Sequence, residues 1–322
     1  MHPATSRLLA NLRVPVIASP LFIISNPDLV IAQCKAGVIG SFPTLNARPG
    51  PVLEDWFKRI IGELGEWEAK TGKKAAPFAA NQIVHKSNDR LMYDIEMTVK
   101  YKVPLVITSL GARVDVNEAV HSYGGLVMHD IINNTFAKKA IEKGADGIIA
   151  VAAGAGGHAG TLSPFALVQE IREWFDGPLA LSGSIATGQA VLSALAMGAD
   201  FGYIGSAFIA TTEANAKPEH KQCLVDHNAG DIVYSNLFTG VHGNYLKPSI
   251  RNAGLDPDNL PVSDPSKMNF QSGGNMDKKA WKDIWGCGQG IGAVKSVPSS
   301  GELVDRIARE YLAAQKRLGV AA

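Results

Sequence analysis

The amino-acid sequence predicts an α/β fold, a TIM (β/α)8 barrel with a C-terminal excursion and a covering helix. Three observations carry that expectation. Short apolar runs alternate with longer amphipathic segments along the first two thirds of the chain. The runs are near-continuous rather than strictly alternating, as strands buried on both faces of a parallel sheet must be. Two helix-to-strand passages, Glu142–Val151 (EKGADGIIAV) and Ala196–Gly205 (AMGADFGYIG), also share one plan of helix, glycine cap, Ala-Asp and strand. Eight such units close naturally into a barrel, and a doubly wound open sheet is the alternative the pattern leaves.

The strands are expected, in order, at Val14–Ser19, Val38–Phe42, Phe78–Gln82, Leu105–Ser109, Gly125–His129, Gly147–Val151, Leu179–Ser182 and Phe201–Ile204. Between them the spacing predicts helices. Pro27–Lys35 follows Asn26 as its cap, and Val52–Lys70 places Trp56, Ile60, Leu64 and Trp67 on one face. Asn88–Tyr101, Asn117–Ser122, Thr135–Lys143, Pro164–Trp174 and Gly188–Met197 follow the same rule. After the eighth strand, residues 215–298 read as a lid-like insertion, richest in Pro, Asn, Ser, Asp and Gly over Asp256–Lys279. Residues 299–318 form an amphipathic helix that should cover the barrel wall.

Composition sets the bounds. With 322 residues, 46% hydrophobic and 19% charged, the chain can bury one large core, and a single domain over residues 1–322 is expected. Formal net charge is +1, from 31 basic and 30 acidic side chains, without the clustered positive excess that nucleic acid or an anionic membrane surface demands. Cys34, Cys223 and Cys287 are isolated, so neither a zinc knuckle nor a dithiol site is encoded and a reducing compartment is the simple reading. The apolar run Val14–Ile24 is interrupted by Pro15 and Pro20 and lacks a small-residue cleavage site, so it reads as a strand rather than a signal peptide. No stretch approaches the roughly 18 apolar residues of a membrane helix. The expectation is a cytoplasmic protein.

In a barrel the chemistry sits at the C-terminal strand ends. After strands seven and eight stand Ser182–Ala190 (SGSIATGQA) and Gly205–Ala214 (GSAFIATTEA), each placing Gly and Ser just before a helix. Glycines let backbone N–H groups approach an anion, and helix N-termini add positive partial charge. Two such loops at this position predict a phosphate site, against the plainer reading of two glycine turns capping helices. After strand six, Val151–Thr161 (VAAGAGGHAGT) matches G-x-G-x-x-G/A at Gly154, Gly156 and Ala159. Its context rejects a dinucleotide loop, because no helix opens at once and no acidic residue ends the next strand. The glycines read instead as a side-chain-free wall for a planar ring, carrying one ionisable group, His158. A lone histidine is most often structural, but this setting, with a pKa near neutrality, points to a catalytic base. His85 and His129 could line the mouth, and His242 and Tyr245 could reach it from the insertion. No metal-ligand spacing and no nucleophile elbow is present.

The chain resembles the nitronate monooxygenase (formerly 2-nitropropane dioxygenase) flavoproteins. The resemblance rests on Ala155-Gly156-Gly157-His158-Ala159-Gly160, the Gly183 region, Ala194–Ala214 and Trp285–Val294, and it covers most of the chain. It implies an FMN-binding barrel. Ala18, Ser19 and Pro20 would pass beneath the flavin ring, with Asn81 as a polar neighbour. Gly183, Ser184, Gly205 and Ser206 would bind the phosphate, while Gly156 and Gly157 border the cofactor beside the base His158. There are departures: Gly183-Ser184 stands where the family often has Gly-Gly, Gly205-Ser206-Ala207 where it often has Gly-Thr-Arg, and Asp130 where reductase relatives carry Lys. The implied reaction is oxidation of an alkyl nitronate by O2 to a carbonyl compound and nitrite. An NAD(P)H-dependent FMN reductase acting on quinones or enoyl thioesters is the alternative, and a flavin-free sugar-phosphate barrel the third. The partners implied are a small-molecule substrate and O2, and the oligomeric state, a homodimer included, is left open.

Overall fold

A computed structural model of the chain describes residues 1–263 and 283–319. The 264–279 part of the expected excursion lies outside the described residues. Eight parallel strands run in the order β1 (Val16–Ala18), β2 (Gly40–Pro43), β3 (Phe78–Ile83), β4 (Leu105–Ser109), β5 (Leu126–Ile131), β6 (Gly147–Val151), β8 (Leu179–Ser182) and β9 (Phe201–Ile204). The sheet closes on itself. β1 pairs with β9, and the Ala18 N–H donates to the Ile39 carbonyl at 2.8 Å while the Ile39 N–H donates to Val16 at 3.1 Å. The fold is a (β/α)8 barrel.

Successive strand residues point to opposite faces, and the buried side chains divide accordingly. Ile17, Ile39, Ala79, Leu105, Ile107, Met128, Ile149 and Phe201 fill the barrel interior. Their neighbours Val16, Val106, Val127, Ile148 and Leu181 face the helical layer. The N-terminal helix α1 (Pro3–Leu9) was not expected from the sequence, and it closes the lower end by adding Leu8 to the interior cluster. Truncating one of these interior aliphatic side chains to alanine costs about 2–5 kcal/mol.

The helices follow the expected units: α2 (Pro27–Ala36), α3 (Val52–Thr71), α4 (Leu91–Lys100), α5 (Val114–His121), α6 (Asn134–Glu142), α7 (Pro164–Arg172) and α8 (Gly188–Ala196). The C-terminal helix Ser300–Leu318 starts at a capping box between Ser299 and Glu302 and packs on α2 and α8. Its approach to α8 is backbone on backbone: a Cβ at Gly188 would stand 2.2 Å from both the Ile307 oxygen and the Tyr311 nitrogen.

The insertion is more ordered than a simple lid. After the four-residue helix α9 (Ser206–Ile209) come α10 (Pro218–Asp226), the hairpin β10 (Ile232–Ser235) and β11 (Gly243–Leu246), and α11 (Lys247–Asn252). β11 also pairs antiparallel with a two-residue strand β7 (Gly157–His158), which ties the insertion to the loop after β6. Among the described residues no helix is long and apolar enough to cross a membrane.

Candidate active site

Two residues beyond each interior side chain, the same strand face reaches the C-terminal mouth. The composition changes there from apolar to polar: Ser19, Ser41, Asn81, Ser109, Asp130, Ser182 and Tyr203, with Val151 the apolar member. A directional hydrogen-bond chain links three of them. The Asn81 amide donates to the Ile107 carbonyl at 3.1 Å and to Ser109 Oγ at 2.7 Å, and Ser109 Oγ donates to Asp130 Oδ2 at 2.5 Å. Burial pushes the Asp130 carboxyl up to about 6, against the opposing pull of the Ser109 hydrogen bond. The Tyr203 phenol is driven above its usual range, first by burial and then by the Asp130 charge, while a hydrogen bond with Ser19 opposes the shift.

The ends of β8 and β9 are where the sequence predicts a phosphate site. Gly183 and Ser184 have consecutive positive φ values of 138° and 57°, which turn the chain sharply at the mouth. Ser184 is a non-glycine residue in the left-handed region, a conformation tolerated only where the surroundings enforce it. Ser206 begins α9, whose first N–H groups have no intrahelical acceptor. Its Oγ accepts from the Gly288 N–H at 2.8 Å, so the hydroxyl proton remains to be donated elsewhere. The N-terminus of α8, by contrast, is already served: Thr187 Oγ1 accepts from Ala190, and the Glu310 carboxylate accepts from Gly188 at 2.9 Å. The Ser184 N–H donates to the Gly154 carbonyl at 3.3 Å, so the groups at these two strand ends that could meet an anionic ligand such as a flavin phosphate are the Ser184 and Ser206 hydroxyls and the first N–H groups of α9. Ala207 is buried in the core between barrel and helices, a position with room for a small residue.

The glycine loop after β6 corrects one sequence expectation. Its side-chain-free wall is covered at least in part by the chain itself. A Cβ at Gly156 would lie 2.7 Å from the Gly288 nitrogen, and one at Gly288 would lie 2.6 Å from the Gly154 oxygen. The Gln289 N–H donates to Gly154 at 2.9 Å, and the Asn244 amide donates to Ala155 at 2.7 Å. The Trp285–Gly290 motif, for which the sequence offered no role, is thus a backbone plug joining the glycine loop to the start of α9.

His158 sits on β7 opposite Gly243, with Nε2 3.1 Å from Thr239 Oγ1. Thr239 in turn donates to the Val241 carbonyl at 2.8 Å and lies against the Tyr245 phenol. Burial pushes the imidazole down to about 4, not near neutrality as the sequence suggested, because the hairpin removes it from water.

Other candidates fall differently. His129 alternates to the outer face and bonds through Nδ1 to Thr108 at 2.6 Å, so it does not face the mouth. The side chain of Ala18 also faces the helices, leaving only its backbone at the mouth, whereas Ser19 meets the Cβ position of Gly205 at 3.4 Å. Pro20 is half-buried beside them. His85 bonds to Ser87, and His242 stacks on Tyr234 at 5.1 Å. Asp130, Ser109 and Tyr203 were missed as site residues, although stepping by two from the interior residues identifies all three. Among the described residues no three His, Cys, Asp or Glu side chains cluster to hold a metal.

Comparison with known proteins places the chain in a family and supports the fold. The family model described as nitronate monooxygenase matches residues 61–310. A nitronate monooxygenase of Paraburkholderia phytofirmans is 25% identical over 94% of this chain and 93% of its own length. A Mycobacterium tuberculosis protein named as a monooxygenase is 27% identical over 68% of this chain, and the match spans 62% of that protein. Among solved structures, a nitroalkane oxidase from Streptomyces ansochromogenes superposes with a TM-score of 0.80 at 23% identity, covering 97% of this chain and 100% of that one. FabK from Thermotoga maritima gives 0.74 at 21% identity, covering 99% of both chains. These two structural likenesses carry the fold.

Proposed function

Because the chain belongs to the nitronate monooxygenase family, we propose that it is an FMN-dependent oxidoreductase converting alkyl nitronates and O2 to a carbonyl compound and nitrite. The observation that supports this reading best is the meeting, at one barrel mouth, of the β8 and α9 phosphate-type donors with a histidine on a glycine-lined edge. Bound FMN supplies the electron chemistry with O2. Ser184 and Ser206, with the backbone of Gly183 and Gly205, hold the phosphate. Ser19, Pro20, Asn81 and the Ala18 backbone border the ring site on one side, and Gly157, whose Cβ position is open, on the other, Gly156 being covered by the Cys287-Gly288 backbone.

His158 removes the proton alpha to the nitro group. Because burial holds its pKa at about 4, the ring is in the free-base form throughout the neutral range. Its weak basicity in the dry pocket is offset when the imidazolium forms beside the nitronate anion it has just generated. General-base catalysis of this kind contributes about 10²–10⁴-fold. His158→Asn should therefore lose activity on neutral nitroalkanes by a factor of that order, and far less on preformed nitronate. Equal loss on both substrates defeats the assignment. Flavin reduction by nitronate but not by NADH under anaerobic conditions supports the monooxygenase. Rapid bleaching by NADH or NADPH moves the chain to the quinone or enoyl-thioester reductases.

A further inference from the structure

We propose that Asp130 is the proton-holding group of the barrel mouth, and that covering the mouth with the flavin takes up one proton onto this carboxyl. The proposal rests on the FMN reading and extends it to a residue that reading leaves unused.

Geometry carries it. Asp130 is the carboxylate among the inward residues at the upper strand ends, one step beyond the interior Met128. Its strand neighbours His129 and Ile131 are buried while Asp130 is half-buried, so its remaining exposure is toward the mouth. One oxygen is engaged by Ser109, itself held by Asn81. From β9 it is faced by Tyr203, a neutral phenol whose ionisation the carboxylate opposes, and Tyr203 is held from the β1 end by Ser19. Val151 ends the neighbouring β6, and among the described residues no Lys, Arg or His lies within ion-pair distance. The carboxylate form is therefore sustained by one hydrogen bond and by the water still reaching its open side. A planar ring laid over the mouth removes that water and brings no cation. The charged form then loses its solvation, and the neutral acid, which still accepts from Ser109 on Oδ2, takes its place.

The test is calorimetric titration of FMN into the flavin-stripped protein at pH 7, in two buffers of different ionisation enthalpy, giving protons taken up per flavin bound. With free Asp130 titrating at about 6, roughly 0.9 of it is ionised at pH 7, so the wild type should take up about 0.9 proton more than Asp130→Asn. The phosphate titrates alike in both proteins and cancels. The ratio of wild-type to variant Kd should rise toward tenfold per pH unit above that midpoint. Ser109→Ala, which removes the bond favouring the charged form, should shift the midpoint upward and reduce uptake at pH 7, an independent check should Asp130→Asn misfold. Equal proton uptake by wild type and both variants, or proton release on binding, overturns the proposal while leaving FMN binding intact. Failure of any form to bind FMN overturns the functional reading and the proposal with it.

Discussion

Replacing Gly288 by alanine tests whether the Trp285–Gly290 plug holds the mouth in shape. The new Cβ would stand 2.6 Å from the Gly154 oxygen, 2.8 Å from the Gly156 nitrogen and 3.2 Å from the Ala155 carbonyl carbon. All three are backbone atoms that cannot rotate aside. Reaching the ordinary contact distance of 3.4 Å requires a displacement of about 0.8 Å, enough to break the 2.9 Å bond from Gln289 to Gly154 and the 2.8 Å bond from Gly288 to Ser206. Two neutral hydrogen bonds at about 1 kcal/mol each, plus about 1–3 kcal/mol of overpacking, put the total at about 3–5 kcal/mol. The clash involves no barrel-strand residue, although Cys287 beside it is part of the core, so the protein should fold with a lowered melting temperature. If the two bonds alone are charged to the mouth, about 2 kcal/mol corresponds to roughly 30-fold weaker FMN binding. Flavin-fluorescence titration and thermal melting of the same preparations measure both effects. Gly62→Ala is the control: it opens onto empty space within α3 and should raise stability by about 0.5–1 kcal/mol. A Gly288→Ala protein with wild-type melting and wild-type Kd would refute the assignment of the plug.

Further expectations follow from particular contacts. Gly188→Ala should force the C-terminal helix off α8, since its Cβ would lie 2.2 Å from backbone atoms of Ile307 and Tyr311. Faster proteolytic release of that helix is the readout, and an unchanged cleavage rate counts against the packing described. His220 is buried, stacks on Trp285 at 4.7 Å, and has an unbonded Nε2; burial pushes its pKa from 6.5 down to about 4. Its folded pKa is depressed, so unfolding takes up a proton below about 6.5, and this contribution to stability fades as pH falls toward 4. His220→Phe keeps the stack and removes the titration. Its stability relative to wild type, measured by urea unfolding, should rise from pH 7 to pH 5, and a pH-independent difference would contradict the mechanism. Arg90→Leu should cost about 3–5 kcal/mol, because it strands fully buried Asp94, 2.9 Å from the guanidinium, without its counter-charge. Arg90→Leu combined with Asp94→Leu should recover much of that loss in the same assay.

The barrel was legible because its strands are unbroken apolar runs: four of the eight, Leu105–Ser109, Gly147–Val151, Leu179–Ser182 and Phe201–Ile204, match their predicted bounds. The pattern fails at β5, where a histidine and an aspartate follow one another. β5 was expected to stop at His129, but it continues through Asp130 to Ile131, and that early stop hid the carboxyl. The same error made His129 look like a site residue, although alternation from Met128 sends it outward. The hairpin Ile232–Leu246 gave little sign of itself, since its strands are short and depend on pairing Gly243 with His158 across some 85 residues. The plug was visible as a motif but not as a contact. Its glycines are required by the backbone of Gly154 and Gly156, a partner that local sequence cannot show. The expected near-neutral His158 failed for the same reason, because the burial that lowers it comes from the distant hairpin.

The change from apolar to polar along each barrel strand has a consequence for how such an enzyme diversifies. Ile107 and Ser109, or Met128 and Asp130, are two residues apart on one strand, yet the first anchors the interior and the second borders the mouth. Rigidity and selectivity are thus inherited through separate positions of the same short segment. Drift at Ser109 or Ser182 can change what the mouth presents while the layer beneath keeps the scaffold intact, whereas Ser41, fully buried and bonded to the Ala18 carbonyl, belongs with the scaffold.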